Sequence, residues 1–236
     1  MNICYNGDSF KLLRKTENET INLILTDIPY NISRDNNFSS MGRQGFDWIW
    51  DSYTGVFKLE HLSCLCPLVK KTGSILVFSS FQQCGDLDEI MQKAGMVAKD
   101  KIIWNKKNPM PRNTNRRYVS DKELINWYVK KNGKWTFNKK ENESYLRSIL
   151  NFPISTHLSK FHPTAKNVDL LAALIKIHSD PNDIVLDAFA GSFTTGLAAA
   201  KTGRQFVLCE IDEKFYENGK MLLTKNNIEF TDGEKR

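Results

Sequence analysis

Long apolar runs, paired cysteines and phosphate-binding loops are all missing from this sequence of 236 residues. No window approaches the roughly 18 apolar residues of a membrane-spanning helix, and the N-terminal MNICYNGDSF lacks the layout of a signal peptide. The five cysteines form no C-x-x-C pair, and together with only four histidines they predict no metal site. We therefore expect a cytoplasmic protein, without contact with membranes, whose cysteines are mostly buried free thiols.

Two common nucleotide-binding loops are also absent. Neither the G-K-[ST] of a phosphate loop nor the G-x-G-x-x-G of a dinucleotide site occurs in the chain. A protein that binds a nucleotide through its phosphates is therefore not predicted.

Positive charge is present but unevenly spread. The net charge is +6, yet residues 101–140 hold twelve Lys and Arg against only Asp121 and Glu123, so this segment is +10 and the rest of the chain −4. Tryptophans and tyrosines are interleaved with the basic residues. Lysine and arginine can bind phosphates and aromatic rings can stack on bases, so this combination favours a nucleic-acid-binding surface. The alternative is a solvated surface, as for many charge runs.

Short apolar runs alternate with helical patterns over most of the chain. The predicted strands are 3–5, 21–25, 74–78, 97–104, 184–186 and 205–208. The predicted helices run from Gly7-Asp8 to Leu13 and over about 55–69, 81–94, 166–178, 195–201 and 213–225. This alternation predicts an α/β fold with a doubly wound, mostly parallel sheet. Residues 105–160 break the rhythm but contain two short β-like runs, LINWYVKK and KWTF, and suggest an inserted or appended recognition region. Residues 34–54 suggest a long loop.

Two strand ends carry unusual residues. In LILTDIPYNIS a predicted buried strand stops at Asp27. A second predicted strand, 184–186, stops at Asp187 and is followed by a turn of small residues that contains Gly191. The next strand ends at Glu210. A glycine turn and an acid on the following strand are typical of nucleoside sites, in which the acid binds ribose hydroxyls. Asp187 would repel pyrophosphate, which favours a positively charged nucleoside such as S-adenosylmethionine.

Together these segments resemble a known family. D-I-P-Y at 27–30 and D-A-F-A-G-S-F-T-T-G at 187–196 resemble the D-P-P-Y and D-P-F-x-G-S-G-T-T-G motifs of DNA amino-methyltransferases, and H-P-T-A-K at 162–166 resembles their H-P-T-Q-K. The motif order, with the basic region in the middle, is that of the β group. The resemblance implies an S-adenosylmethionine-dependent methyltransferase with a Rossmann-like fold, a circularly permuted motif order and a restriction-modification role.

The resemblance also implies roles for particular residues. The Asp27 carboxylate and the Ile28 carbonyl would accept the protons of the target amine, Pro29 would fix the turn, and Tyr30 would stack on an extruded base. The expected cofactor-binding residues are Asp8, Asp27, His162, Pro163, Thr164, Asp187, Phe189, Gly191, Ser192, Thr194, Thr195 and Glu210. Asp8 has an alternative role as a helix N-cap. The expected DNA-binding residues are Lys106, Lys107, Arg112, Arg116 and Arg117.

The implied domain organisation follows the motifs. Residues 1–104 and 161–236 would form the catalytic and cofactor-binding domain. Residues 105–160, with the loop 34–54, would form the target-recognition region that binds double-stranded DNA. A homodimer and a cognate restriction endonuclease are further partners that the resemblance suggests.

Two departures from the family motifs bear on activity. Ile28 replaces the first proline of D-P-P-Y, a change that preserves an extended backbone. Phe193 replaces a glycine of the second motif. If this position needs a positive φ or bare backbone against the cofactor, phenylalanine would obstruct it unless the ring turns away.

The alternatives concern the substrate. Asp27 favours the N6 amine of adenine, and N4 of cytosine is the first alternative. Methyltransferases of RNA or of protein amides are disfavoured, because their motif typically begins with asparagine. Carbon-5 cytosine enzymes need a Pro-Cys pair, whereas this chain has Cys66-Pro67. The second alternative is a DNA-binding member with impaired cofactor binding.

Overall fold

The computed structural model describes residues 2–30, 57–111, 114–116, 118–155 and 165–233. The strands are β1 (Ile3–Asn6), β2 (Ile21–Asp27), β3 (Val69–Ser79), β4 (Met96–Lys106), β5 (Lys122–Lys130), β6 (Ile149–Phe152), β7 (Ile184–Asp187), β8 (Gln205–Glu210) and β9 (Thr231–Asp232). The α-helices are α1 (Ser9–Leu12), α2 (Cys84–Lys93), α3 (Val168–His178), α4 (Thr194–Lys201) and α5 (Glu213–Lys225). The helix expected over 55–69 is a 3₁₀-helix, Leu59–Leu68, with Pro67 inside it.

Local sequence explains where three of the helices begin. Asp8, Asn167 and Asp212 each precede a helix with extended backbone, and each side chain accepts a backbone N–H of the first turn. Such caps satisfy N–H groups that have no partner within the helix. The described helices include none long and apolar enough to cross a membrane.

Within the described ranges one sheet contains nine strands, in the order β6-β4-β5-β3-β2-β7-β8-β1-β9. β5 runs antiparallel to β3 and β4, and the remaining neighbours are parallel. The predicted α/β fold with a mostly parallel sheet is confirmed. Because β2 lies beside β7, residues far apart in the chain meet at one edge of the sheet.

Two hydrophobic layers cover the two faces of the sheet. Leu23 and Leu25 of β2 pack with apolar residues of α3, α4 and α5, whereas Ile24 packs with α2 and the 3₁₀-helix Leu59–Leu68. Successive residues of a strand point to opposite faces, so one buried strand contributes to both layers. Three of the five cysteines (Cys4, Cys66 and Cys209) are buried in these layers, and Cys64 is exposed.

The described part of the segment 105–160 is built into the sheet, and its role in target recognition stays a prediction. β4 extends to Lys106, β5 lies between β3 and β4, and β6 pairs with the outer edge of β4. Ile125 and Tyr128 of β5 are fully buried. The expected short strand KWTF at 134–137 does not form. The segment is therefore in part a structural component of the α/β domain.

Phe193 packs into the core between α4 and α5. Its backbone lies in the left-handed region, with φ of 61°, and its ring is fully buried against Tyr216 at a centroid distance of 5.6 Å. On the other side the ring fills the space beside Gly219 of α5, where an added Cβ would lie 2.4 Å from its Cγ. Only a residue without a side chain fits at position 219.

We expect Gly219→Ala to destabilise the protein by about 1–3 kcal/mol, because overpacking must displace the buried ring. Gly85→Ala is the matched control, since Gly85 is also in a helix and an added Cβ there meets nothing within 4 Å. The control should be neutral or stabilising by up to about 1 kcal/mol. Thermal and urea unfolding measure both, and equal effects would contradict the packing assigned to Phe193.

Candidate active site

The two strands that carry the motifs end side by side. β2 and β7 are parallel neighbours, with Ile24 opposite Leu186. Thr26, one residue before Asp27, donates a hydrogen bond from Oγ1 to the Asp187 carboxylate at 2.8 Å. The carboxyl ends of the strands of an open α/β sheet are where such folds bind ligands.

Asp27 is enclosed by hydrogen-bond donors from its own chain. The Lys166 ammonium lies 2.5 Å from Oδ2, and the Tyr30 hydroxyl donates to Oδ1 at 2.8 Å. Lys166, just before α3, is itself buried, and its ammonium lies 5.5 Å from the centre of the Tyr30 ring. Both oxygens of Asp27 therefore have a partner inside the protein.

A second acid, Glu123 of β5, completes this cluster. Its carboxylate lies 3.2 Å from the Lys166 ammonium and 2.8 Å from that of Lys106, and it accepts from the Tyr30 hydroxyl at 3.2 Å. Asp27, Tyr30, Lys106, Glu123 and Lys166 will be called the acid–lysine cluster. It contains two carboxylates and two ammonium groups, so its formal charge is zero.

The cluster strongly affects the protonation of its members. Burial raises the pKa of Asp27, and Lys166 opposes that shift. Burial also disfavours the Glu123 carboxylate, but Lys166 and Lys106 outweigh it and lower the pKa of Glu123 to about 2. Burial alone would lower the pKa of Lys166, whereas Asp27 and Glu123 raise it. Lys166 is therefore a fixed positive charge at neutral pH.

The residues after Asp27 are held by neighbouring strands and turns. The Ile28 side chain is buried, and its backbone N–H donates to the Phe78 carbonyl of β3 at 3.3 Å. The Pro29 carbonyl accepts from Gln83 Nε2 at 2.9 Å. Ile28 therefore fits in place of proline, because its β-branched side chain fills the apolar layer while its backbone stays extended.

Asp187 holds the turn that follows β7. Oδ1 accepts from Thr26 and from the Phe189 backbone N–H at 3.1 Å, and Oδ2 accepts from the Thr195 hydroxyl at 2.6 Å. Burial raises its pKa to about 6. The side chains of Ser192, Thr194 and Thr195 are buried with it. The described contacts of Asp187 thus shape the turn, and a cofactor contact of Asp187 remains a prediction.

Glu210, at the end of β8, closes the other side of this turn. Its two carboxylate oxygens accept from the backbone N–H groups of Gly191 at 2.7 Å and Asp212 at 2.8 Å. Burial raises its pKa to about 7. Asp8 lies nearby, because β1 pairs with β8 and Asn6 is opposite Glu210. Asp8 caps α1 through the Phe10 N–H, which is the alternative role considered for it.

An aromatic group lies beside the glycine turn. The ring of Phe189 contacts that of Phe57 at 5.0 Å and that of Phe10 at 5.9 Å between centroids, both edge to face. Phe193 is turned away from this side, into the core between α4 and α5. The ring of Phe193 therefore does not obstruct the turn in the way that the sequence left open.

These residues fit the cofactor that the motifs predict. Carboxylates stand at the ends of β2, β7 and β8, a glycine turn lies between two of them, and rings line one side. Such acceptors suit ribose hydroxyls and the positive groups of S-adenosylmethionine. Of the expected cofactor-binding residues, His162, Pro163 and Thr164 lie outside the described residues.

The expected DNA-binding residues have different surroundings. Lys107 and Arg116 are exposed, in agreement with a surface role, whereas Arg112, Arg117 and the loop 34–54 lie outside the described residues. Lys106 differs from them, because its side chain is only 12% exposed and is paired with Glu123, and its contact with DNA stays a prediction. The pairing follows from strand register, since β4 places Lys106 beside the start of β5.

Sequence reasoning missed Glu123 and did not assign a partner to Lys166. A signal for Glu123 was available: it is one of only two acids among residues 101–140, and it begins an apolar run typical of a strand. An acid at a strand end within a basic block indicates pairing rather than solvation. The partner of Lys166 could not be read locally, because Asp27 is 139 positions away.

Comparison with known proteins agrees with this geometry. A family model described as DNA methylase, covering N6 and N4 methyltransferases, matches residues 21–221. The Type II methyltransferase M.HinfI of Haemophilus influenzae is 31% identical over 239 residues, covering 92% of this chain and 67% of the relative.

Two solved structures extend the comparison. The M1.HpyAVI–SAM complex is 37% identical, with a TM-score of 0.75, and the match covers 94% of this chain and 99% of the other. PvuII DNA methyltransferase, described as cytosine-N4-specific, has a TM-score of 0.74 at 21% identity and covers 97% and 89%, respectively, which shows the shared fold. The chain therefore belongs to the N6/N4 family of DNA methyltransferases, whose members use S-adenosylmethionine as the methyl donor.

Proposed function

We propose that this protein transfers a methyl group from S-adenosylmethionine to the N6 amine of adenine within a specific DNA sequence. The observation that carries the proposal is the acceptor site at the end of β2, where the Asp27 carboxylate lies beside the turn held by Asp187 and Glu210. Asp27, rather than serine, at the first position of the motif favours adenine over cytosine.

The chemistry required of the protein is orientation of a weak nucleophile. The lone pair of an exocyclic amine is delocalised into the ring, so the amine reacts poorly as it stands. Hydrogen bonds from its two N–H groups to the Asp27 carboxylate and the Ile28 carbonyl favour a tetrahedral nitrogen aligned for attack. Tyr30 would stack on the extruded base, which cannot reach the cofactor from within a duplex.

The cofactor supplies an electrophilic methyl group when it is bound. Glu210 would accept hydrogen bonds from the ribose hydroxyls, and the turn from Asp187 to Thr195 would provide close backbone approach at Gly191. The Phe189 ring, held by Phe57, gives this site an apolar side. Asp8 and the segment that contains His162, Pro163 and Thr164 would contribute the remaining contacts.

The proposal is tested by methyl transfer from tritiated S-adenosylmethionine to genomic DNA that lacks the modification, followed by nucleoside analysis. We expect N6-methyladenine as the labelled product. N4-methylcytosine as the only product would replace the adenine assignment with its alternative, and no product together with no binding of the cofactor in calorimetry would overturn the enzymatic function.

We further propose that exposed residues within 105–160, with the loop 34–54, form the target-recognition region for double-stranded DNA. Lys107 and Arg116 are the exposed basic residues of the predicted set that the structure describes. A homodimer and a cognate restriction endonuclease belong to the same proposal, and light scattering of the purified protein tests the first.

We expect Lys107→Ala to weaken DNA binding several-fold and similarly for all sequences. Loss of one phosphate contact should reduce the slope of log affinity against log salt by about one. Lys93→Ala is the control, because Lys93 is an exposed lysine at the end of α2, paired with Glu89. Fluorescence anisotropy over a range of salt concentrations measures both variants, and equal slopes would exclude Lys107 from the DNA surface.

A further inference from the structure

Two hydrogen-bond donors of the acid–lysine cluster are shared between its two acids. The Lys166 ammonium lies 2.5 Å from Asp27 and 3.2 Å from Glu123. The Tyr30 hydroxyl lies 2.8 Å from Asp27 and 3.2 Å from Glu123. A hydroxyl has one proton to donate, so Tyr30 bonds one carboxylate at a time. In each case Asp27 is the nearer acceptor and Glu123 the alternative one.

This arrangement bears on the proposed role of Asp27 as the acceptor of the target amine. A target amine needs an Asp27 oxygen as its acceptor, and a base stacked on Tyr30 needs the ring in a defined position. In the structure both Asp27 oxygens already accept from Lys166 and Tyr30. A carboxylate oxygen can accept two hydrogen bonds, so the amine need not displace either donor, but it must compete with both of them for Asp27. A donor that Asp27 gives up needs another acceptor, because a buried donor without one is costly.

We propose, on the basis of the function proposed above, that Glu123 is a positioning residue that receives Tyr30 and Lys166 when the target amine takes the Asp27 carboxylate, with Lys106 holding Glu123 in place. No proton is transferred in this step. Tyr30 keeps its hydroxyl proton and Lys166 keeps its charge, while their hydrogen bonds are redirected from Asp27 to Glu123.

The position of Glu123 suits this task. It stands opposite Trp104 of β4 on a strand fixed on both sides, so its backbone cannot move independently of the sheet. Its side chain is 18% exposed and is tied to Lys106, whose ammonium lies 5.4 Å from the centre of the Trp104 ring. Glu123 thus provides a rigid second acceptor within reach of both donors.

The charges around Asp27 determine how the cluster responds to substitution. Asp27 is faced by Lys166 from the segment before α3, by Tyr30 beyond its own strand, by Glu123 from β5 and by Asp187 from β7. Lys106 acts through Glu123. Removal of the Glu123 charge leaves an excess positive charge, which favours ionised Asp27. Removal of the Lys106 charge leaves an excess negative charge, which disfavours it.

The test compares Glu123→Gln, Lys106→Gln and the double variant. Titration of the Asp27 carboxyl carbon by NMR, assigned with Asp27→Asn, should give a lower pKa in Glu123→Gln and a higher pKa in Lys106→Gln, each by about one unit or more. The double variant, which restores neutrality, should return toward the wild-type value. Glu19→Gln is the matched control, since Glu19 forms a more exposed pair with Lys130 at 3.0 Å, and it should cause no shift.

Kinetics supply the second readout. Single-turnover methylation by Glu123→Gln should fall about 100-fold, because a neutral amide oxygen competes poorly with the Asp27 carboxylate for Tyr30 and Lys166. The two donors then stay on Asp27 and the amine is misplaced. Its affinity for S-adenosylmethionine should stay at the wild-type level. The acid limb of the pH–rate profile should move in opposite directions in the two single variants.

The outcomes separate this proposal from the function on which it rests. Wild-type protein that transfers no methyl group defeats the proposed function, yet the NMR titration still reports the coupling of Asp27 and Glu123. Shifts of the same sign in both single variants, or rate losses that only follow loss of folded protein, overturn the role of Glu123. Opposite shifts with a slowed methyl-transfer step support it.

Discussion

Asp27→Ala is expected to reduce methyl transfer by about 1,000-fold or more while the protein remains folded. The carboxylate is the acceptor that would orient the target amine, and no other described carboxylate at the end of β2 replaces it. Radiolabelled methyl transfer under single-turnover conditions measures the loss. Binding of S-adenosylmethionine, measured separately by calorimetry, shows whether the cofactor site survives.

The fold should survive because Lys166 has a second acid. Removal of one partner from a buried ion pair usually costs about 3–5 kcal/mol, since a charge is left without compensation. Here the Lys166 ammonium and the Tyr30 hydroxyl both remain within 3.2 Å of Glu123. We therefore expect a smaller loss of stability than burial of Lys166 would otherwise suggest.

Asp88→Ala is a closely matched control. Asp88 of α2 also accepts from a lysine and a tyrosine, with Lys101 at 2.5 Å and the Tyr128 hydroxyl at 2.6 Å. This second carboxylate–lysine–tyrosine group lies outside the acid–lysine cluster. Its loss should lower stability without lowering the rate of methyl transfer. If Asp88→Ala and Asp27→Ala reduce the rate alike, the rate loss of the latter reflects stability and not chemistry.

The second large effect is expected at Glu210. Glu210→Ala should weaken binding of S-adenosylmethionine by at least about 100-fold, because two hydrogen bonds to a charged acceptor are removed. The substitution also leaves the Gly191 and Asp212 N–H groups without their acceptor, which loosens the turn. Calorimetry at constant pH measures the affinity, and wild-type affinity in the variant would remove Glu210 from the cofactor site.

The pKa of about 7 at Glu210 gives this binding a pH dependence. If the carboxylate is the form that accepts the ribose hydroxyls, the affinity for S-adenosylmethionine one pH unit below that pKa should be about tenfold lower than the affinity of the fully ionised form. Binding at pH 6 should also release protons, which calorimetry detects as a dependence on the ionisation enthalpy of the buffer. Glu210→Ala should lose this dependence, whereas Glu19→Ala, at an exposed ion pair, should keep it.

Glu210 also makes the stability of the cofactor-free protein depend on pH. Its pKa is raised on folding from 4.5 to about 7, because burial disfavours the charge. The resulting stability is fully present below pH 4.5 and is lost as pH rises through 7, amounting to about 3 kcal/mol. Asp187 acts in the same direction at a lower pH, since its pKa is raised to about 6.

Much of the fold could be predicted because its signals are local. Apolar runs located six of the strands and the later helices, including 213–225, whereas the short strands β6 and β9 were missed. The position of β5 could not be read in this way. Its apolar run indicated a strand, but its insertion between β3 and β4 depends on contacts with residues far away in sequence.

The candidate active site likewise has residues that could be predicted from local sequence and contacts that could not. Asp27, Asp187 and Glu210 follow from strand ends, and a parallel sheet brings such ends to one edge. Lys106 was predicted to bind phosphate because it stands in a basic run. Its pairing with Glu123 depends on the antiparallel register of β4 and β5, which composition does not determine.

The packing of Phe193 against Gly219 has an evolutionary consequence. A turn position that is glycine in the motif this segment resembles carries phenylalanine here, while Gly219 on α5 makes room for its ring. The two sites are therefore epistatic. A larger residue at 219 is acceptable only after the ring at 193 has gone, so the order in which substitutions arise decides which sequences the lineage can reach.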